Sequence, residues 1–242
     1  MKKSTQILII LIVLSFRVSA QTSTQAYEVS FQTGVGKYSM GGLKDINRSV
    51  MNNIPFKTEL VDDFPAYIYY RPSIGLKLGL WCIGINYTFQ STGSRISTQD
   101  YSAEYKFDMK VKAHCPGVYV NLNFPTQKKM IFTLHANIGI TYTELQTHEY
   151  FNLLSVTRVD NNEIFKAQNY YFEPDLSISF PVHFIELSIN TGTMFEFGGN
   201  AYHLASNSSN ILRNPSNGNE ILPNWNGIRI GISVTYHFGN IQ

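Results

Sequence analysis

The chain is 242 residues long, 43% hydrophobic and only 15% charged, with 15 tyrosines, 16 phenylalanines and two cysteines. That hydrophobic content excludes a disordered chain, and two cysteines exclude a disulfide-built scaffold. Residues 1–20 hold three of the 19 basic residues and none of the 17 acidic ones, so the remainder stands at −1 and gives no general case for nucleic-acid binding.

Lys2 and Lys3 precede an apolar run from Ile7 to Phe16, and Val18-Ser19-Ala20 places small residues before Gln21. This is the pattern of a secretory signal peptide over residues 1–20, which leaves residues 21–242 as the exported domain. The run is too short for a membrane-spanning helix, which needs about 20 apolar residues. Position 21 is glutamine, so no lipid-attachment cysteine follows the expected cut. No later apolar run approaches helix-spanning length; if the exported chain enters a membrane, it must do so as a closed barrel.

Period-two alternation then recurs in eight segments, near 27–36, 67–76, 81–90, 105–114, 132–142, 170–179, 185–196 and 228–238. One face carries Ile, Val, Leu, Phe and Tyr; the other carries Gly, Ser, Thr, Asn and charges. Short turns near 77–79, 125–128 and 181–183 join segments two to three, four to five and six to seven. Long polar stretches near 37–65, 91–104, 146–168 and 198–224 make the remaining connections. This rhythm predicts an all-β fold: an eight-stranded antiparallel up-and-down transmembrane β-barrel with three short periplasmic turns and four long outer loops. In the fourth segment the apolar face is odd-numbered to Ala113 and even-numbered at Val118, Val120 and Leu122. Either a β-bulge at Cys115-Pro116-Gly117 absorbs one residue, or a strand ends there and a short one follows.

Gly34, Gly36, Gly75, Gly84, Gly139, Gly192 and Gly231 all fall on the polar face, as the crowded lumen of a small barrel requires. The apolar face is therefore expected to meet lipid. On the polar face Arg71, Lys106, Lys110, Lys112 and Arg229 stand near balance with Asp108, Glu173, Asp175, Glu186 and Glu196. They predict a salt-bridged interior plug, since eight strands leave no open channel and unpaired buried charge is costly. Aromatics at the segment ends predict two girdles, one with Trp81, Phe180, Tyr236 and Phe238, the other with Tyr87, Phe89, Phe172, Phe195 and Trp225.

The leader ending Ser19-Ala20-Gln21, the opening strand Tyr27 to Val35 and the closing run from Gly227 to Phe238 resemble the PorT-like outer-membrane β-barrel proteins of Bacteroidetes-type bacteria. The resemblance is one of pattern over most of the exported chain. It implies residence in the cell outer membrane, among outer-membrane lipid and lipopolysaccharide, and no particular chemistry. The alternating last strand ending at Phe238 resembles the signal read by the barrel-assembly machinery, although four residues follow it here.

Signals for chemistry are sparse. Among six histidines no His-x3-His spacing occurs, and Cys-x2-Cys is absent, so neither a metal nor a cofactor is expected. Cys82 and Cys115 fall too far apart along one hairpin for a disulfide and are expected as free buried thiols. His203, Ser206 and Glu220 are similar in type to the His, Ser and Glu of outer-membrane lipid A deacylases. Here His203 and Ser206 are three apart, whereas that element spaces them by two, and the surrounding residues read as a loop. Residues 37–65 are apolar enough at Met40-Gly41-Gly42 and Leu60 to Phe64 to pack as a partial lid. The leading expectation is a non-enzymatic outer-membrane barrel acting as a scaffold or binding protein through its outer loops. A lipid A deacylase-like hydrolase and a soluble periplasmic lipocalin-like binder of apolar ligands are the alternatives.

Overall fold

The computed structural model describes residues 25–54, 58–99, 101, 103–126, 130–153, 156–215 and 217–239. The expected leader lies outside them. In chain order the elements are β1 (Gln25–Tyr38), α1 (Gly41–Asn53), β2 (Glu59–Asp63), β3 (Tyr67–Leu78), β4 (Trp81–Gln99), β5 (Ala103–Pro125), β6 (Ile131–Leu153), β7 (Val156–Val182), β8 (Ile185–Phe197), β9 (His203–Leu204), β10 (Asn207–Ile211) and β11 (Gly227–Gly239). β1, β3 to β8 and β11 form a ring in which each strand runs antiparallel to its neighbours. The ring closes where Tyr27 to Tyr38 pair with Phe238 to Gly227. Closure satisfies the edge groups that an open sheet would expose.

The two faces of the wall differ as the alternation predicts. On β11, Arg229, Ser233 and Thr235 are buried while Ile228, Ile230, Ile232 and Val234 are exposed, Ile230 by 59%. Val29, Phe31, Ile74, Ile85, Val118, Leu134, Ile138, Leu176 and Ile189 continue this outward belt around the ring. Soluble monomers rarely expose more than a few hundred Å² of contiguous apolar surface. The arrangement is also the reverse of a lipocalin-like barrel, whose apolar face points inward. At the end with short turns, Tyr27 stacks on Phe238 at 5.6 Å and Phe184 meets Tyr236 edge-on at 5.5 Å; at the other, Tyr170 stacks on Phe197 at 6.3 Å. Trp225, expected in the outer girdle, is instead fully buried.

The wall continues past the belt, and there its faces exchange character. β5 pairs with β4 and β6 in one unbroken register from Leu122 to Glu104. Odd-numbered residues point inward throughout: Asn121 and Tyr119 low in the barrel, then Cys115, Ala113, Val111 and Met109 higher up. Even-numbered residues point outward: Val120 and Val118 within the belt, then Lys112, Lys110 and Lys106 above it. No bulge is needed at Cys115-Pro116-Gly117. The apparent parity break is the level at which the outside stops being apolar and the inside becomes so. Ser91, Gly93 and Arg95 on β4 and Glu144 and Gln146 on β6 mark the same level. The stretches 91–104 and 146–168 are therefore mostly strand extensions, not loops. Backbone pairing persists there although the hydrophobic alternation has faded.

The described residues of the connections at 39–66 and 198–226 do fold as caps. Leu43, Ile46 and Val50 recur at helical spacing in α1, with Leu43 and Ile46 buried. The chain enters α1 through Met40, in the left-handed region at φ 48°, and leaves it at Ile54 in extended geometry. Leu43 and Ile46, with Met40 and Phe64, close over Met109, Val111, Leu145, Phe165 and Met194, while Tyr202, Ile221 and Trp225 enter from the connection between β8 and β11. Each large side chain buried in this way contributes about 1.5–3 kcal/mol. The long-loop end thus has an ordinary apolar core, and the short-turn end has a polar interior.

Candidate functional site

The polar interior centres on Glu173. Placed inward by the odd-numbered face of β7, its Oε2 accepts hydrogen bonds from Arg71 Nη2 and Arg229 Nη1, each at 2.5 Å. Arg71 also donates from Nε to Thr88 Oγ1 at 2.7 Å, and Arg229 from Nε to Tyr38 OH at 3.3 Å and from Nη2 to Gln90 Oε1. The Arg229 guanidinium lies 5.3 Å from the centre of the Tyr69 ring and 5.7 Å from that of Tyr38; Arg71 lies 5.8 Å from Tyr69. Asp175 approaches Arg71 at 4.0 Å. Arg229 is 1% exposed and Glu173 fully buried. Two cations sharing one carboxylate, with hydrogen-bond acceptors and aromatic faces around them, offset the large desolvation cost of burying these charges.

Below this plug, towards the short turns, lies a polar space of about 60 Å³ lined by Glu28, Lys77, His135, Asp175, Glu186 and His237 among others. His237 stands between two carboxylates, with Nε2 3.2 Å from Glu186 and Nδ1 3.8 Å from Glu28. His135 bridges Asn121 Oδ1 and Ser177 Oγ, each at 2.7 Å. Above the plug the apolar core seals the lumen. The barrel is closed twice, once by ions and once by hydrocarbon.

The structure brings together only part of the predicted charge network. Arg71, Glu173, Asp175 and Arg229 meet at the plug, Glu186 lies lower beside His237, and Glu196 lies at the long-loop end, where its Oε2 accepts the Trp225 backbone N–H at 2.7 Å. Lys106, Asp108, Lys110 and Lys112 face outward, contrary to expectation, because β5 has no parity break. Lys106 pairs with Glu104 at 2.5 Å, and Asp108 receives a two-pronged contact from Arg95 at 2.6 and 2.8 Å. Without those lysines the interior is not balanced: Glu28, Glu173, Asp175, Glu186 and Glu196 outnumber Arg71, Arg229 and Lys77. Sequence reasoning left out Glu28, Tyr38, Tyr69 and Gln90. Their only signal was their position on the polar face at the level of the arginines or below it.

His203, Ser206 and Glu220 do not assemble. Ser206 is exposed at the turn between β9 and β10, and Glu220 is held by Arg213 at 3.2 Å. His203 and Glu220 border one cleft, with Ser208 instead of Ser206. Cys82 and Cys115 are both free and buried. Cys82 stands opposite Asn121 and Cys115 opposite Thr88, six residues apart along the ladder. Among the described residues no group of three His, Cys, Asp or Glu side chains is arranged to hold a metal ion.

No family model matches the chain, and no curated protein does. Among solved structures, the chain is similar to Neisserial surface protein A, with 9% identity over 88% of this chain and 97% of that one, at a TM-score of 0.40. Ail, the attachment invasion locus protein of Yersinia pestis, matches at 8% identity over 90% of this chain and 100% of that one, with a TM-score of 0.37, in a structure containing the heparin analogue sucrose octasulfate. A major outer membrane protein from Thermus thermophilus matches at 10% identity over 88% and 99%, with a TM-score of 0.44.

Proposed function

We propose that the chain is an integral outer-membrane barrel, closed to diffusion, that presents its folded long-loop end as a binding or scaffolding surface. The observation that carries this reading is the outward belt from Tyr27 to Val35 on β1 and from Ile228 to Phe238 on β11, continuous around a ring whose interior is polar and ion-paired. Such a surface is stable only against hydrocarbon. The resemblance of the closing strand to the PorT-like proteins supports the same membrane and assembly through the barrel-assembly machinery. The doubly sealed lumen favours a scaffold over a pore, and the separation of Ser206 from His203 and Glu220 favours a non-enzymatic role over a lipid A deacylase. Fractionation of cells that express the chain tests the reading. Retention in the outer membrane through carbonate extraction, with a faster-running unboiled form on a denaturing gel, is the expected result. Release by carbonate would overturn it.

A further inference from the structure

On the outside of the wall, where β1 and β11 close the ring beneath α1, lies a groove of about 570 Å³. Val35, Ile228 and Ile230, all exposed members of the apolar belt, line its lower part. Lys37, the last outward residue of β1, and Lys44, in the first turn of α1, line its upper part, and no aspartate or glutamate lines it anywhere. Among the described residues Lys37 has no ion-pair partner, and Lys44 has only Asp63, at 3.9 Å. Asp63 lies outside the groove and also accepts from Asn47 at 3.4 Å. Elsewhere above the belt, cations mostly alternate with acids. Arg95 holds Asp108, Lys106 has Glu104, and Glu144 stands between Lys112 and Lys166 across the ladder. The groove is thus apolar below and cationic above, with its own anion missing.

Depth supplies a second, independent argument. Lys37 is two residues past Val35, which is about 7 Å of strand. The headgroup layer on each side of a bilayer is about 5–7 Å deep. With Val35 in hydrocarbon, the Lys37 ammonium therefore stands at the level of lipid headgroups. A partner dissolved in water would not reach Ile230 and Val35, so the occupant has to come from the membrane. Lysine is a point-charge binder of phosphate, and its long stem lets the ammonium reach out along an apolar wall.

We infer that this groove seats a phosphorylated lipid of the leaflet at the long-loop end, with its phosphate held by Lys37 and Lys44 and one acyl chain along Val35, Ile228 and Ile230. The inference rests on the reading of the chain as a membrane barrel and gives one point on its surface a defined lipid.

Native mass spectrometry of the folded chain, released from micelles of a neutral detergent, tests it. Dimyristoyl phosphatidic acid, dimyristoyl glycerol and inorganic phosphate are the probes, each added separately. Retention of one phosphatidic acid per chain is expected, with little of the diacylglycerol and no inorganic phosphate. Lys37→Ala should weaken that retention about fivefold, and Lys37→Ala with Lys44→Ala about twenty-fivefold, the factor that each cation near a headgroup contributes. Lys37→Arg should keep most of it, and Lys110→Ala, which removes an outward cation from β5, should leave it unchanged. Should the double variant lack the heat-modifiable band of a folded barrel, Lys37→Ala against Lys37→Arg decides. Equal retention of the diacylglycerol would leave only an apolar groove. Inorganic phosphate bound as tightly as phosphatidic acid would leave a site for free anions. An equal loss in Lys110→Ala would leave only general surface charge. Each of these overturns the inference, as does a failure to retain phosphatidic acid. A carbonate-resistant, heat-modifiable chain without this preference refutes the inference alone; a chain released by carbonate refutes the membrane reading instead.

Discussion

Arg229 and Glu173 sit on strands that are not adjacent in the ring, yet their side chains meet at 2.5 Å in the middle of the lumen. The contact reaches past β8 to tie the closing strand to β7, and Arg71 ties β3, on the opposite side of the ring, to the same carboxylate oxygen. Replacing Glu173 with alanine leaves two guanidinium groups buried without their shared anion. The expected cost is about 3–5 kcal/mol, the range for breaking a buried ion pair from one side. Urea unfolding in lipid vesicles measures it, with band-shift on unboiled gels as the readout. The same variant should not conduct ions in a planar bilayer, because the core around Met109, Leu145 and Phe165 still closes the lumen above. A stable open conductance in Glu173→Ala would show that the plug is the only seal.

The outward belt makes a directional prediction. Ile230→Lys and Val118→Lys place a charge in hydrocarbon and should cost about 2–4 kcal/mol near the bilayer midplane. Lys110→Ile, on the same face of β5 as Val118 but above the belt, should change stability little. Folding yields into vesicles of the three variants check this. Equal yields for Val118→Lys and Lys110→Ile would mean that the two positions share one solvent.

This contrast along β5 also explains how much of the molecule was legible in its residues. Seven of the eight barrel strands announce themselves because lipid and lumen hold opposite faces over about ten residues. β5 misleads because it stays in register through both environments. Ala113 and Val118 are both apolar, but one faces the upper core and the other faces out. By the same alternation Lys106, Asp108, Lys110 and Lys112 read as inward yet face out, whereas Arg71, Glu173 and Arg229, flanked by outward apolar residues on both sides, face the lumen. α1 was hidden for another reason. Gly41 and Gly42 open it, no side chain caps it, and only Leu43, Ile46 and Val50 carry its period. Pairing of Glu28 with His237, or of Tyr38 with Arg229, depends on ring closure and cannot be read from either strand alone.

Tyr119 occupies the space left by two glycines. A Cβ added at Gly75 would run into the Tyr119 hydroxyl, and its next neighbour would be Cys82 Sγ at 2.8 Å. Both obstacles are side chains, so the conflict can be relieved. Gly75→Ala should cost about 1–3 kcal/mol by overpacking, and Tyr119→Phe in the same chain should recover part of it despite losing the hydroxyl's hydrogen bond to Glu28 at 3.2 Å. A double-mutant cycle in urea gives the coupling directly. Strict additivity would mean that the two residues do not compete for this space.

The lid should be separable from the barrel. Leu43 is buried in the upper core on a helix whose link to the wall runs through Asn47, which accepts from Ser94 Oγ on β4 at 3.3 Å, so Leu43→Ala removes packing without touching that bond or the ring. The expected cost is about 2–5 kcal/mol, but it falls on the docking of α1. Limited proteolysis should then cut within 39–66 at least tenfold faster, while the heat-modifiable band and urea midpoint of the barrel stay near those of the parent chain. If cleavage is unchanged and the barrel itself is weakened, α1 is part of one cooperative core. The loop end would then be as rigid as the wall beneath it, because one cooperative unit would hold both.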